Sequence, residues 1–273
     1  MVQIHQGTER TREFYDSVGW KEQDGVLEDR RLFGVREDGP IRKRMHARSV
    51  DHLLNRFRSL GDGLRILEMG CGGTPETRLF PLASHYTGVD FSSTGLEAAA
   101  KVAGEVPHDF VQADITQLPF EDGTFDAVYC AHVLYHIDTP EGHRAALREG
   151  CRVVRPGGIV AFIIANPFPL LFPIRLGRRI VASVLKRGGS GALPYLPMTP
   201  AWYAREVSSF GTTEVRCSGM ASTWFNHHVS EFKPFGRLAW TTLDSIHRRF
   251  PMGSVRFGNY ATIFLRRSET TPS

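Results

Sequence analysis

The chain has 273 residues and 41% hydrophobic content, enough to bury a full core, and we read one elaborated domain. Its net charge of +4 and pI of about 9.0 come from arginines scattered along the chain, without the density of a nucleic-acid-binding arm, so no nucleic-acid partner is expected. The four cysteines, Cys71, Cys130, Cys151 and Cys217, form no C-x-x-C pair and no metal-ligand spacing; they argue against a zinc site or a disulfide framework and favour a reducing cytoplasm.

The first residues, Met1-Val-Gln-Ile-His-Gln, lack the apolar core of a signal peptide, and no stretch holds about eighteen uninterrupted apolar residues, so a soluble protein without membrane insertion is expected. Residues 1–60 read as an N-terminal helical cap or lid. A helix over 8–18 carries Phe14 and Tyr15 and stops at Gly19; Gly25, Gly34, Gly39 and Pro40 then punctuate an irregular segment. A second helix over 41–60 places Met45, Val50, Leu53, Leu54 and Phe57 at helical spacing, which suits covering a sheet edge.

The stretch from Leu64 to Pro75 organises the remainder, residues 61–273. Leu64, Ile66 and Leu67 form a strand; Gly70, Gly72 and Gly73 permit a sharp turn and close approach of a ligand; Thr74 and Pro75 read as the cap and first residue of a helix. A dinucleotide fingerprint starting at Gly70 would need a third glycine where Pro75 stands, and Glu68 just before the turn would repel a pyrophosphate. Glu68-Met-Gly-Cys-Gly-Gly instead resembles the first motif of the class I S-adenosylmethionine-dependent methyltransferases, with Thr74 in place of that motif's last glycine.

The following units repeat the pattern of a strand ending in a polar group. A strand over 85–90 ends in Asp90, with Ser92 and Ser93 available to cap a helix over 94–103; Pro81 shortens the preceding helix. A carboxylate at that strand end can accept from vicinal ribose hydroxyls or simply cap the helix. Gly88-Val-Asp90-Phe91-Ser92 resembles the family's second motif. The next strand, 109–114, ends in Asp114 followed by Ile115, the acid and flat apolar contact that the resemblance assigns to an adenine. Leu118-Pro-Phe120-Glu-Asp-Gly-Thr-Phe-Asp126 resembles a further family loop nearly letter for letter.

A fourth strand, 125–131, runs into His132-Val-Leu-Tyr135-His136. Thr139-Pro140-Glu141 opens a helix to residue 154, and Arg155-Pro-Gly-Gly158 stops it before the apolar central strand 159–164. Residues 166–200 and 220–254 read as insertions that shape an acceptor pocket. In the first, Phe168, Leu170, Leu171, Phe172 and Ile174 line it, and a basic helix over 174–186 suits a solvated face, an anionic acceptor or a membrane surface. In the second, Trp224, Phe225, His227, His228, Phe232, Phe235 and Trp240 form another wall, and His227-His228 lacks a third ligand, so no metal is expected. Strands over 213–218 and 259–266 make the final hairpin, after a helix over 201–209 headed by Thr199-Pro200.

The resemblance implies an α/β, Rossmann-like fold: a seven-stranded, mostly parallel sheet with helices on both faces. It implies S-adenosyl-L-methionine as cofactor, held by Glu68, Gly70, Gly72, Asp90, Phe91, Asp114, Ile115, Ala131 and His132, with Tyr15 of the Phe14-Tyr15-Asp16 segment as a lid. His136 is the expected general base, with His132 and Tyr135 beside it. The expected acceptor is a small hydrophobic or aromatic metabolite, methylated on O, N or C; a homo-oligomer stays open. Two alternatives stand: a cofactor-binding fold member that transfers no methyl, and an NAD-linked oxidoreductase.

Overall fold

In a computed structural model, residues 6–23, 26–27, 40–167, 196–219, 235–250, 258 and 260–269 are described. Helix α1 (Gln6–Phe14) runs directly into a π-helical turn, Tyr15–Gly19, and a two-residue ribbon pairs Glu22–Gln23 with Val26–Leu27. Helix α2 (Pro40–Arg58) precedes the sheet. Its Val50, Leu53 and Phe57 are fully buried and share a cluster with Ile66, Ile159, Ala161 and Phe264. Helix α2 therefore covers a face of the sheet, not the edge expected from sequence.

The sheet is built from β1 (Leu64–Met69), β2 (Ala83–Asp90), β3 (His108–Gln112), β4 (Phe125–Ala131), β5 (Val154–Ala165), β6 (Gly211–Cys217) and β7 (Tyr260–Arg267). Their spatial order is β3-β2-β1-β4-β5-β7-β6, and β7 alone runs antiparallel to its neighbours. The strand order reverses between β1 and β4, which puts a ligand crevice outside their carboxyl ends.

Alternation along the strands feeds two cores. Val160, Phe162 and Ile164 of β5 face one cluster with Leu147, Cys151 and Tyr203, whereas Ile159, Ala161 and Ile163 face the α2 side. Helices α3 (Ser93–Ala103), α4 (Pro140–Val153) and α5 (Pro200–Val207) are capped as the sequence indicates: Ser92 Oγ accepts from Gly95 N, Thr139 Oγ1 from Gly142 N and Thr199 Oγ1 from Trp202 N. Helix α6 (Phe235–Arg249) is tied to α2 by an ion pair, Arg48 Nη1 to Asp244 Oδ1 at 2.7 Å.

One predicted element is absent. Thr74 and Pro75 start no α-helix; the chain passes through them into a 3₁₀ turn, Thr77–Leu82, capped by Glu76, whose side chain accepts from Arg78 N. Two causes act together. Glu68 Oε2 accepts from Glu76 N at 3.0 Å, which fixes the chain past Pro75, and β2 begins at Ala83, leaving room for the tighter winding that also accommodates Pro81. Of the predicted pocket walls, residues 168–195, including the basic helix, and Trp224, Phe225, His227, His228 and Phe232 lie outside the described residues. Phe235, expected in a wall, is instead solvent-exposed at the start of α6, while Trp240 is buried.

Candidate active site

The glycine turn is pinned to the end of β2. Gly70 N and Cys71 N both donate to Val89 O, at 2.6 and 3.0 Å, and Gly72 N donates to Asp90 Oδ2 at 2.9 Å. Gly70 and Gly72 have φ of 75° and 51°, in the left-handed region that side chains resist. A Cβ would meet Val133 at 2.4 Å from Gly70, and the Trp20 ring at 2.3 Å from Gly72. The turn thus has no room for a side chain, because Val133 and the Trp20 ring already pack against it.

Asp90 is buried, and its Oδ1 accepts from Ser92 N at 2.9 Å. Burial pushes its carboxyl up to about 6, opposed by the backbone donors and assisted by the nearby Asp16 charge. At neutral pH it is ionised. A carboxylate offers about four lone-pair sites, so two backbone bonds leave capacity for ligand hydroxyls.

Glu68 plays a different part. It is buried, its Oε2 accepts from Tyr86 Oη and Glu76 N, and burial pushes its carboxyl up to about 8, so it holds a proton at neutral pH. Those contacts fasten the chain beyond the glycine turn to β2. At the end of β3, Asp114 Oδ1 accepts from Thr116 N and Oγ1, both at 2.8 Å, and Ile115 packs into the core with Val89 and Leu118.

The N-terminal segment folds over this end of the sheet. Asp16 Oδ1 accepts from Ser92 Oγ at 2.7 Å and from Thr94 Oγ1 at 3.4 Å, latching the π turn to the start of α3. Tyr15 stacks on Trp20 with ring centroids 5.2 Å apart, and meets Phe91 and His136 edge-on at 6.4 and 6.3 Å. Trp20 lies against Gly72, Gly73 and Gly95, and its buried Nε1 has no hydrogen-bond partner among the described residues. Neither Trp20 nor Asp16 stood out in the sequence. The available signal was position: Trp20 follows Tyr15 by one π turn, and Asp16 completes the Phe14-Tyr15-Asp16 segment.

Beyond β4 the groups change from acids to rings. Ala131 pairs with Ile163 on β5, and His132 N donates to Ile163 O at 3.0 Å. His132 has φ of 63°, the one non-glycine at positive φ among the described residues. Its ring meets Tyr260 at 4.7 Å, edge to face, and Tyr135 at 6.4 Å. The 3₁₀ turn Leu134–His136 brings His136 within 4.7 Å of the Tyr135 ring. His143 buttresses that turn: fully buried, it bonds Ile137 O through Nε2 at 3.1 Å and Tyr203 Oη through Nδ1 at 2.8 Å. Burial lowers its pKa, so the ring is neutral, donating at Nε2 and accepting at Nδ1. Among the described residues no group of three or more His, Cys, Asp or Glu is placed to hold a metal ion, and no helix is long and apolar enough to cross a membrane.

Residues 67–162 match the Methyltransferase domain family. A demethylmenaquinone methyltransferase of Clavibacter sepedonicus is 33% identical over 172 residues, 59% of this chain and 66% of that protein. The chain belongs to the class I methyltransferases. A ubiquinone biosynthesis O-methyltransferase of Alkalilimnicola ehrlichii is 33% identical over 46% of this chain and 52% of its own length, so the chain spans less than two thirds of the curated relatives it matches. Among solved structures, the magnesium protoporphyrin IX methyltransferase of Synechocystis PCC 6803 superposes with a TM-score of 0.60 at 18% identity, covering 96% of this chain and all of that one. The N-methyltransferase NodS of Bradyrhizobium japonicum gives 0.58 at 17% identity over 94% and 98%. At these identities the likeness is one of fold, and it extends through both ends of the sheet.

Proposed function

We propose that this class I methyltransferase transfers the methyl group of S-adenosyl-L-methionine to a small, largely apolar or aromatic metabolite. The observation that carries the reading is the glycine turn pinned by Asp90: an ionised, partly unsatisfied carboxylate beside a left-handed glycine backbone on which the Trp20 ring packs too closely for any Cβ. Trp20 Nε1, buried by Gly95 and without a hydrogen-bond partner among the described residues, adds a donor that an oxygen-bearing ligand would satisfy. These groups fit an adenosine-bearing ligand, with Asp90 on the ribose hydroxyls, Asp114 and Ile115 at the base, Phe91 and the Tyr15 lid over it, and Gly70, Gly72, Ala131 and the backbone of His132 along its amino-acid end.

When bound, the cofactor supplies an electrophilic methyl on a sulfonium and leaves as S-adenosylhomocysteine. The protein's share is alignment, worth about 7–11 kcal/mol when reactants are held in line, and proton acceptance, worth about 10²–10⁴-fold. His132, Tyr135 and His136 are the groups at the carboxyl end of β4 available for the second task. The names of the quinone-pathway relatives favour a phenol or hydroquinone as acceptor. Residues 1–60 act as the cap and 61–273 as the catalytic core, in a cytoplasmic setting that suits four free thiols.

The test is calorimetry with S-adenosylmethionine and, separately, with NAD, followed by mass-spectrometric detection of S-adenosylhomocysteine against a panel of phenols, hydroquinones and arylamines. Binding of the first ligand alone, with turnover on at least one panel member, is the expected result. Binding without turnover across the panel would favour a fold member that transfers no methyl.

A further inference from the structure

The backbone at His132 is the most informative irregularity in the site. Left-handed backbone is unfavourable for an L-residue with a side chain, and the described residues adopt it with a side chain only here; elsewhere glycine takes it. The strain is imposed from outside. His132 N is held by Ile163 O on β5, so the chain leaves β4 still bonded to its neighbour and must turn over at that residue. A glycine would make the same turn freely, so an imidazole at this φ points to a use for its side chain.

Where the ring goes identifies the use. His132 is solvent-exposed, and its ring leans on Tyr260, the first residue of β7, at 4.7 Å and 75°. Because β7 is antiparallel, its first residue lies beside Ala165, the last of β5, on the carboxyl-end side of the sheet where the crevice opens. His136 turns the other way, with its ring toward Tyr15 of the lid. The two histidines therefore divide: one on the cofactor-lid side, one on the β5–β7 side.

We infer that His132 is the acceptor-facing histidine of the site, and that Tyr260 is the positioning residue whose ring aims it. This rests on the methyltransferase reading above and deepens it. As the acceptor's O–H or N–H lone pair bonds to the methyl carbon, the carbon–sulfur electron pair stays on sulfur, and His132 takes the acceptor's proton and passes it to solvent. An edge-to-face pair needs the ring of Tyr260, not its hydroxyl, to hold the imidazole. The rings of Tyr135 and Tyr260 beside it, at 6.4 and 4.7 Å from the imidazole, suit a planar aromatic acceptor bearing a hydroxyl or amine.

The experiment compares His132→Gly, His132→Asn, Tyr260→Phe and Tyr260→Leu in the full chain. Three quantities are read: the thermal midpoint without ligand, the affinity for S-adenosylhomocysteine, and kcat and KM for whichever panel phenol, hydroquinone or arylamine the wild type methylates. His132→Gly should raise the thermal midpoint, because the strain is relieved, while cutting kcat by about 100-fold or more. His132→Asn, which tolerates the same backbone, should cut kcat equally, with cofactor affinity within about threefold in both variants. Tyr260→Leu should raise the acceptor KM about tenfold and lower kcat, and Tyr260→Phe should restore both. A lowered midpoint in His132→Gly would mean that the ring is kept for packing, and full turnover in His132→Asn would mean that it takes no proton; either overturns the inference, and wild-type behaviour of Tyr260→Leu removes Tyr260 from it. A wild type that binds no cofactor fails at the earlier step, taking the methyltransferase reading down and this assignment with it.

Discussion

The two ends of the site are held by different physics. On the β1–β3 side, strand-end acids are fixed by short hydrogen bonds to backbone amides: Asp90 to Gly72 and Ser92, Asp114 to Thr116, Glu68 to Glu76. On the β4–β7 side, rings lean on rings, and one residue sits in strained backbone. Backbone bonds specify geometry to a few tenths of an ångström and are the same for any ligand bearing the right hydroxyls. Ring contacts are looser and are set by whichever side chains the neighbouring elements bring. A rigid half for a constant cofactor and an adjustable half for a variable acceptor is the division this contrast teaches.

Breaking the rigid half should have the largest effect on the reaction. Asp90→Ala removes the carboxylate from both the ligand hydroxyls and Gly72 N, and hydrogen bonds to a charged group are worth about 1.5–3 kcal/mol, so cofactor affinity should fall by roughly 10–150-fold. The wild type should also lose affinity as pH falls through about 6, where Asp90 gains its proton, and Asp90→Asn should lack that dependence. Calorimetric titrations at several pH values read both effects; an affinity untouched in Asp90→Ala would take the acid out of the site.

Removing residues 1–19 tests whether the aromatic layer belongs to the rigid half. Of residues 9–19 only Thr11 and Gly19 are buried, so the core's thermal midpoint should hold. Cofactor affinity and turnover should both drop, by about tenfold at most, since an aromatic stack contributes about 0.5–1.5 kcal/mol beyond its area. A truncated protein with wild-type kinetics would leave Tyr15 and Asp16 as packing alone. On the adjustable side, His136→Phe keeps a ring against Tyr15 while removing both nitrogens. It should cost less than about tenfold in kcat, well short of the 10²–10⁴ of a general base; a larger loss would return the base to His136, where the sequence put it.

The rigid half was also the legible half. Glycines, an acid after each strand and Ser or Thr before each helix are local signals, and β4 and the caps of α3, α4 and α5 fall where those signals stand. The helix expected at Thr74-Pro75 failed because a bond across the glycine turn, from Glu76 N to Glu68 Oε2, outweighs a local cap. Likewise β5 starts at Val154, read as the last helical residue, and runs through residues 155–158, read as the helix stop, because Val154 pairs with Phe125 across the sheet. Tyr260 was invisible for the same reason: it meets His132 only because β7 inserts between β5 and β6. Contacts made by distant strands leave no pattern in the residues on either side of them.

Glu68 gives the smallest effect on turnover and the sharpest check on how the rigid half is held. Its carboxyl is raised by burial from 4.5 to about 8, so between those values the folded protein holds a proton that the unfolded chain has released. Where the folded state binds more protons, stability falls as pH rises; the wild type should therefore lose thermal midpoint from about pH 4.5 to about pH 8 and level off beyond. Asp90, raised to about 6, adds a shorter slope of the same sign below that pH. Glu68→Gln keeps an acceptor for Tyr86 Oη and Glu76 N but has no proton to lose. It should match the wild type near pH 4.5, exceed it in midpoint at pH 8, and turn over at nearly the wild-type rate at neutral pH, because the residue it replaces is already uncharged there. If the two proteins instead melt in parallel across that range, Glu68 is ionised in the fold, and the segment after the glycine turn is held by a charge in place of a neutral hydrogen-bond pair.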